Sequence, residues 1–335
     1  MTGFTEDELV AMIRRLLGGD EPGVRLGLGD DAALVDLGQS LGILTADMMV
    51  EGVHFERATI SPRDLGYKAL AVNVSDVAAM GGSPRYALAS LALPPDIEPG
   101  WVVELYGGLR ECAAEHAVSV VGGDTSAAQI VVVSVALTGE VAEGGAVTRA
   151  GARPGDRLVV TGSLGAAAGG LELSRAKGRD AAVAAATEWG RSLLAAQARP
   201  AARVGEGQTL AQSGATAMMD ISDGLAKDLS RLCRESDVGA AVSLADVPVA
   251  SALRELKRIV PVDPLELALH GGEDYELLAA LPGEAVAGAS RMLRDRLGAP
   301  LTDIGEIREA PGLVAVEADG SEQPLRHEGW DHFAR

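Results

Sequence analysis

The chain has 335 residues, 47% of them hydrophobic and 23% charged, which suits one large or two medium globular domains and excludes a disordered chain. Its 48 acidic and 29 basic residues leave a formal charge of −19, and that field repels nucleic acid and anionic lipid alike. Any phosphate bound by this protein must meet positive charge recruited locally, from arginines, helix N-termini or carboxylate-held metal ions.

At the start, Thr5 and Glu8 form a capping box before Leu9, Met12, Ile13 and Leu16, whose spacing predicts a helix ended by Gly18-Gly19. The opening MTGFTEDELVAMIRR lacks the basic and apolar regions of a signal peptide, and no segment approaches about 18 consecutive apolar residues. A cytoplasmic protein off the membrane is therefore expected. Short apolar runs predict strands near 32–36, 41–46, 86–93, 118–121 and 130–138, with helices near 62–79 and 99–116.

The glycine-rich, charged stretch GGAVTRAGARPGD, from Gly144 onward, predicts a domain connection and divides the chain into 1–146 and 147–335. Beyond it, strands are expected near 157–161, 216–220, 240–244, 275–281 and 313–317. Helices are expected near 164–176, 181–197, 224–235 and 284–297. The fold class is α/β, of mixed α+β character, in two halves of similar kind.

Cys112 and Cys233 show no metal-site spacing and read as free thiols in a reducing compartment. None of the four lysines, at 68, 177, 227 and 257, lies in a GxxxxGK[ST] sequence, which excludes a P-loop kinase. His327 and His332 lack partners at zinc-site spacing.

Aspartate or glutamate recurs beside glycine at the ends of apolar runs: Gly29-Asp30-Asp31, Asp47, Asp76 in NVSDVAAMGG, Gly122-Gly123-Asp124-Thr125, Asp220-Ile221-Ser222-Asp223-Gly224 and Gly271-Gly272-Glu273-Asp274. One such pair is ordinary turn chemistry. Their number, with all-oxygen ligands, favours a hard cation such as Mg²⁺. Asp76 lies on an apolar stripe with Leu65, Ala69, Val72 and Ala79, so its carboxylate needs a partner. Asn73 on the same stripe is one, a metal ion the other. Asp220, Ser222 and Asp223 stand at a strand-to-helix turn, where they serve either as helix caps or as ligands. The paired glycines before Asp124 allow close backbone approach to a phosphate.

These segments, GLGDDAAL, ADMMVEGVHF, YKALAVNVSDVAAMGGSP, GGDT, VTRAGARPGD, MMDISDGL, HGGEDYEL and GWDHF, resemble in order and over nearly the whole chain those of thiamine-monophosphate kinases. The resemblance implies the two-domain fold of aminoimidazole ribonucleotide synthetase. An N-terminal ATP- and Mg²⁺-binding domain would mediate a homodimer, and a C-terminal domain would complete the active site. It implies an ATP-dependent phosphotransferase acting on thiamine monophosphate. The implied metal set is Asp30, Asp31, Thr45, Asp47, Asp76, Asp124, Asp220 and Asp223. Gly123, Asp124, Arg149 and Ser222 would contact ATP, and His54, Glu273 and Trp330 the acceptor. Asp124, Asp220, Asp223 and Arg149 would carry the catalysis. The chain departs from the family at Ala46, where a hydroxyl ligand is expected to be missing.

An acceptor phosphate is already largely ionised near neutral pH, so in-line transfer needs no general base and no phosphoenzyme. Several Mg²⁺ ions would offset the repulsion between the two phosphates. An indole at Trp330 would suit a cationic thiazolium, although a terminal aromatic also packs as ordinary core. A Mg²⁺-dependent phosphohydrolase, another ATP-dependent member of the same superfamily and a non-catalytic nucleotide or cation sensor are the rival readings.

Overall fold

A computed structural model describes residues 6–17, 22–142, 144–176, 179–326 and 329. The expected cap at Thr5, the stop at Gly18-Gly19, His327, Trp330 and His332 lie outside them. The described residues divide into two compact units, one formed by residues up to Ala78 with Gly82–Ala146, the other by Ala79–Gly81 with the described residues from Val147 to Gly329.

The first unit runs α1 (Glu6–Leu17), β1 (Val24–Leu26), β2 (Ala33–Asp36), β3 (Ser40–Val50), α2 (Pro62–Ala79), β4 (Ser83–Leu93), α3 (Pro99–Glu115), β5 (Ser119–Gly122), β6 (Thr125–Ala127) and β7 (Val132–Ala142). Its sheet has the order β1-β2-β3-β7-β4-β5, with β6 on β4. The β4–β5 and β4–β6 pairs are parallel, the rest antiparallel. Helix α2 begins where local chemistry dictates. Pro62 supplies a fixed φ at the first position, and Ser61 and Asp64 exchange hydrogen bonds at 2.7 and 3.1 Å.

From Leu65 to Ala79 helix α2 is buried at every position except Asp76, which is half-buried. The expected single apolar stripe was too narrow: this is a helix enclosed on all sides, and the one partly open position carries the carboxylate. Close packing against α3 explains the enclosure. A Cβ on Gly66 would lie 1.9 Å from the Leu105 carbonyl oxygen, and one on Gly108 would lie 1.7 Å from that of Arg63.

The second unit runs β8 (Arg157–Thr161), α4 (Ala166–Arg175), α5 (Arg179–Ala185), α6 (Glu188–Ala198), α7 (Val204–Gln212), β9 (Ala217–Asp220), α8 (Leu225–Ser236), β10 (Gly239–Ser243), α9 (Leu253–Leu256), α10 (Pro264–His270), β11 (Leu277–Leu281), α11 (Gly283–Leu297), β12 (Leu301–Arg308), β13 (Gly312–Val316) and β14 (Glu322–Pro324). The sheet order is β14-β13-β10-β12-β8-β11-β9, and only β10–β13 is parallel. One face of this sheet packs Leu158, Val160, Met219 and Leu278 against Leu225, Leu229 and Leu232 of α8. Val159, Met218, Leu277 and Ala279 pack with Leu210 of α7 and Leu293 of α11. Strand alternation produces both cores from the same central strands.

The single helix expected over 181–197 is two. Thr187 accepts the Gly190 N–H at 3.0 Å and starts α6 afresh. No helix is long and apolar enough to cross a membrane among the described residues.

Candidate active site

In the first unit, strand alternation decides what faces what. Thr45 and Asp47 are not on one face with their neighbours by chance: the exposure pattern along β3 sets Ala46 apart from both. Ala46 lies on the opposite sheet face from Thr45 and Asp47, and a hydroxyl at position 46 would not join them. Thr45 donates its hydroxyl to Oδ2 of Asp76, and the departure expected at Ala46 leaves only a backbone carbonyl to serve at that position.

Asp76 gathers further acids. A carboxylate oxygen of Asp31 lies within 4.8 Å of one from Asp76, and Asp47 is hydrogen-bonded to Asp76. Burial pushes the Asp47 carboxyl above its ordinary pKa, and the charge of Asp31 adds to the rise, while the Asp76 hydrogen bond opposes it. Asn73 donates to the Ala69 carbonyl at 3.0 Å and accepts the Asp47 N–H at 3.1 Å, so it fixes the strand bearing Asp47. Asp30 accepts the Asp31 N–H at 2.9 Å, a supporting role. Repelling carboxylates and a hydroxyl form the hard-oxygen set that a divalent cation relieves.

The other expected residues of this unit stand elsewhere. Asp124 is exposed between β5 and β6, and its carbonyl accepts the Leu91 N–H at 2.9 Å. Gly123 is required for a reason other than a phosphate: an added Cβ would sit 1.8 Å from the Ala89 carbonyl oxygen. His54 follows β3 in a tight turn and accepts the Val50 N–H through Nδ1 at 3.0 Å. When neutral, its proton is then on Nε2.

The second unit brings together two motifs fifty residues apart. Ile221 N–H donates to Glu276 (2.8 Å), Tyr275 N–H to Ile221 (2.8 Å) and Glu273 N–H to Ser222 (2.7 Å), all at carbonyl oxygens. Asp220, 2% exposed, ends β9 beside them. Gly224 must be glycine: its φ is +115°, and a Cβ would meet the His270 carbonyl carbon at 2.9 Å.

The N–H groups at the start of α8 are met from within the helix: Asp228 accepts those of Asp223 and Gly224 at 2.9 and 3.1 Å through Oδ2. Asp223 is paired with Arg231 at 2.6 Å and Lys227 at 3.0 Å. Burial pushes Asp228 up to about 7, the charge of Asp223 adds to this, and Arg231 and Arg149 oppose it. Arg149 is thus electrostatically coupled to the same cluster, and its carbonyl is held by the Ser236 hydroxyl at 2.8 Å. Sequence reasoning missed Asp228 and Arg231. The available signal was the spacing Asp223-x₄-Asp228-x₂-Arg231, which puts all three on adjacent turns.

The chain matches AIR synthase related protein, N-terminal domain, over residues 29–141, and its C-terminal domain over residues 153–317. A thiamine-monophosphate kinase of Escherichia coli O157:H7 is 39% identical over 316 residues, 93% of each chain. One from Bacillus subtilis strain 168 is 36% identical over 92% of this chain and 94% of its own. The solved structure described as AaThiL complexed with AMPPCP and TMP superposes with a TM-score of 0.85 at 34% identity, covering 98% of this chain and 97% of that one.

Proposed function

The chain belongs to the thiamine-monophosphate kinase family, and we propose on that ground that it transfers the γ-phosphoryl of ATP to thiamine monophosphate, giving thiamine diphosphate and ADP. The observation that carries the reading is a 39% identity sustained over 93% of the chain to a kinase of that name. The complex of a related protein with an ATP analogue and TMP supports the same two ligands for this chain.

Mg²⁺ fits the oxygen set of the first unit. Asp31, Thr45, Asp47 and Asp76 would hold it, with Asp30 in support, and Asp124, Asp220 and Asp223 are proposed as ligands of further Mg²⁺ ions. When bound, the ion supplies charge neutralisation between the two phosphates. The rest falls to the protein. The acceptor phosphate, with a second pKa of about 6, is an oxyanion without help, so no residue need act as general base. Arg149 offers a fixed guanidinium to a phosphate, and Gly123 and Ser222 complete the nucleotide contacts. His54 offers Nε2–H as a donor to the acceptor, and Glu273 offers a carboxylate to its cationic part. Trp330, outside the described residues, remains the proposed stacking partner. Transfer is direct and in-line, without a phosphoenzyme.

The homodimer and the cytoplasmic location belong to the same proposal. The first unit exposes a continuous sheet face: Leu44 pairs across to Thr138 and on to Tyr86, and Ala46 to Ala136 and on to Leu88. Leu44, Met48, Tyr86 and Leu88 are about half exposed there, an apolar surface of the kind that a second copy covers.

A coupled assay tests the function. Thiamine diphosphate formed one-for-one with ADP supports the kinase. Free phosphate in its place would mean a phosphohydrolase, and nucleotide binding without turnover a sensor.

A further inference from the structure

Residues 273–276 of the second unit alternate between two kinds of position. Glu273 and Tyr275 have φ of 71° and 51°, a left-handed conformation rare for residues with side chains. Asp274 and Glu276 are anchors. Asp274 accepts the Gly165 N–H at 2.6 Å and the Ala167 N–H at 3.3 Å, capping α4 from 109 residues away. Glu276, 4% exposed, accepts the Thr161 hydroxyl at 2.7 Å and two guanidinium N–H groups of Arg203 at 2.8 and 2.5 Å.

Both anchors enter the same segment, residues 161–167. Gly162 leaves the room, since a Cβ there would stand 1.9 Å from Oε1 of Glu276. The backbone N–H groups of Glu273 and Tyr275 are tied in turn to Ser222 and Ile221. Left-handed backbone at two such residues is not a local preference, so surrounding bonds must over-determine it. Asp274 and Glu276 supply those bonds.

We infer that Asp274 and Glu276 are positioning residues for the phosphoryl transfer, clamping the left-handed turn so that Glu273 is held against the acceptor. The inference rests on the kinase reading. Neither anchor touches substrate; each acts through Glu273. Releasing either lets Glu273 relax to ordinary negative φ, which re-aims its side chain. The ATP contacts assigned to Gly123, Asp124, Arg149 and Ser222 need not follow.

The test measures kcat and both KM values in the full chain for wild type, Asp274→Ala, Asp274→Asn, Glu273→Gln and the Asp274→Ala/Glu273→Gln pair. Asp274→Ala is expected to raise the KM for thiamine monophosphate by about tenfold or more, with the ATP KM within about twofold. Asp274→Asn is expected to fall between wild type and Asp274→Ala, because its single amide oxygen can keep the shorter Gly165 N–H bond but not the Ala167 bond, which goes to the other carboxylate oxygen. In the Glu273→Gln background, Asp274→Ala should add less than about threefold, since the anchor works through the residue already changed. Equal changes in both KM values, or full additivity with Glu273→Gln, overturns the inference. Should Asp274→Ala not fold, Thr161→Val removes the hydroxyl bond to Glu276, together with the one it accepts from the Leu277 N–H, and leaves the Arg203 pair, and the same KM split and coupling decide. A wild type that forms no thiamine diphosphate overturns the kinase reading instead, and is distinguishable because the positioning inference fails only when wild type turns over and the variants show no split.

Discussion

Asp228 is wholly buried, and its Oδ2 accepts the backbone N–H of Asp223 at 2.9 Å, so the first acid of the helix turn hangs from one five residues later. The same oxygen takes the Gly224 N–H at 3.1 Å. Asp228→Ala strands both donors at a buried helix start. A loss of about 1–3 kcal/mol is expected in urea unfolding, with Asp228→Asn losing less.

Asp274 gives the protein a pH dependence of stability with a definite sign. Burial pushes it up to about 7, against 3.8 ordinarily. Between those values the folded chain keeps a proton that the unfolded chain has released, so stability falls as pH rises through that window. The limiting slope for one group is about 1.4 kcal/mol per pH unit. Asp274→Asn should flatten the fall between about pH 5 and 7 relative to wild type. Equal falls in the two proteins would show that Asp274 is ionised throughout.

Chelation by EDTA should abolish turnover, and added Mg²⁺ should restore it. Thr45→Val should raise the half-saturating Mg²⁺ concentration by about tenfold and Asp76→Asn by about a hundredfold or more. Calorimetric Mg²⁺ titration gives the same order without turnover, and unchanged binding in Asp76→Asn would move the ion elsewhere.

Leu88→Glu or Met48→Glu places a charge on the exposed face of the first unit. Wild type is expected to sediment at twice the chain mass of 34.3 kDa, and either variant at the single mass. A monomeric wild type would leave that face to another partner.

Gly123→Ala cannot be accommodated by a side-chain shift, because its Cβ would sit 1.8 Å from the Ala89 backbone oxygen. A destabilisation of about 2 kcal/mol or more is expected from the strand displacement this forces. Thermal unfolding checks it, and an unchanged melting temperature would show that β4 and the Gly123 turn yield freely.

Helix α2 was legible to the residue because Ser61, Pro62 and Asp64 begin it and Gly81-Gly82 follow it. Strand β12 was not, because Asp303 and Gly305 interrupt its alternation at a register shift. The aspartates of the site stood out through their glycine neighbours. Their supports did not: Glu276 meets Arg203 across 73 residues and Asp274 meets Gly165 across 109, and no local spacing encodes such pairs.

The interlocked glycines of α2 and α3 bear on ion choice. With Gly66 seated on the Leu105 carbonyl and Gly108 on that of Arg63, α2 has no lateral play, and Asp76 travels only if both helices do. A calcium ion asks its oxygen ligands to stand off by about 0.3–0.5 Å more than magnesium does. With Asp76 as a ligand, discrimination between the two ions would then reside in a pair of hydrogen atoms some turns of helix away from the carboxylate itself.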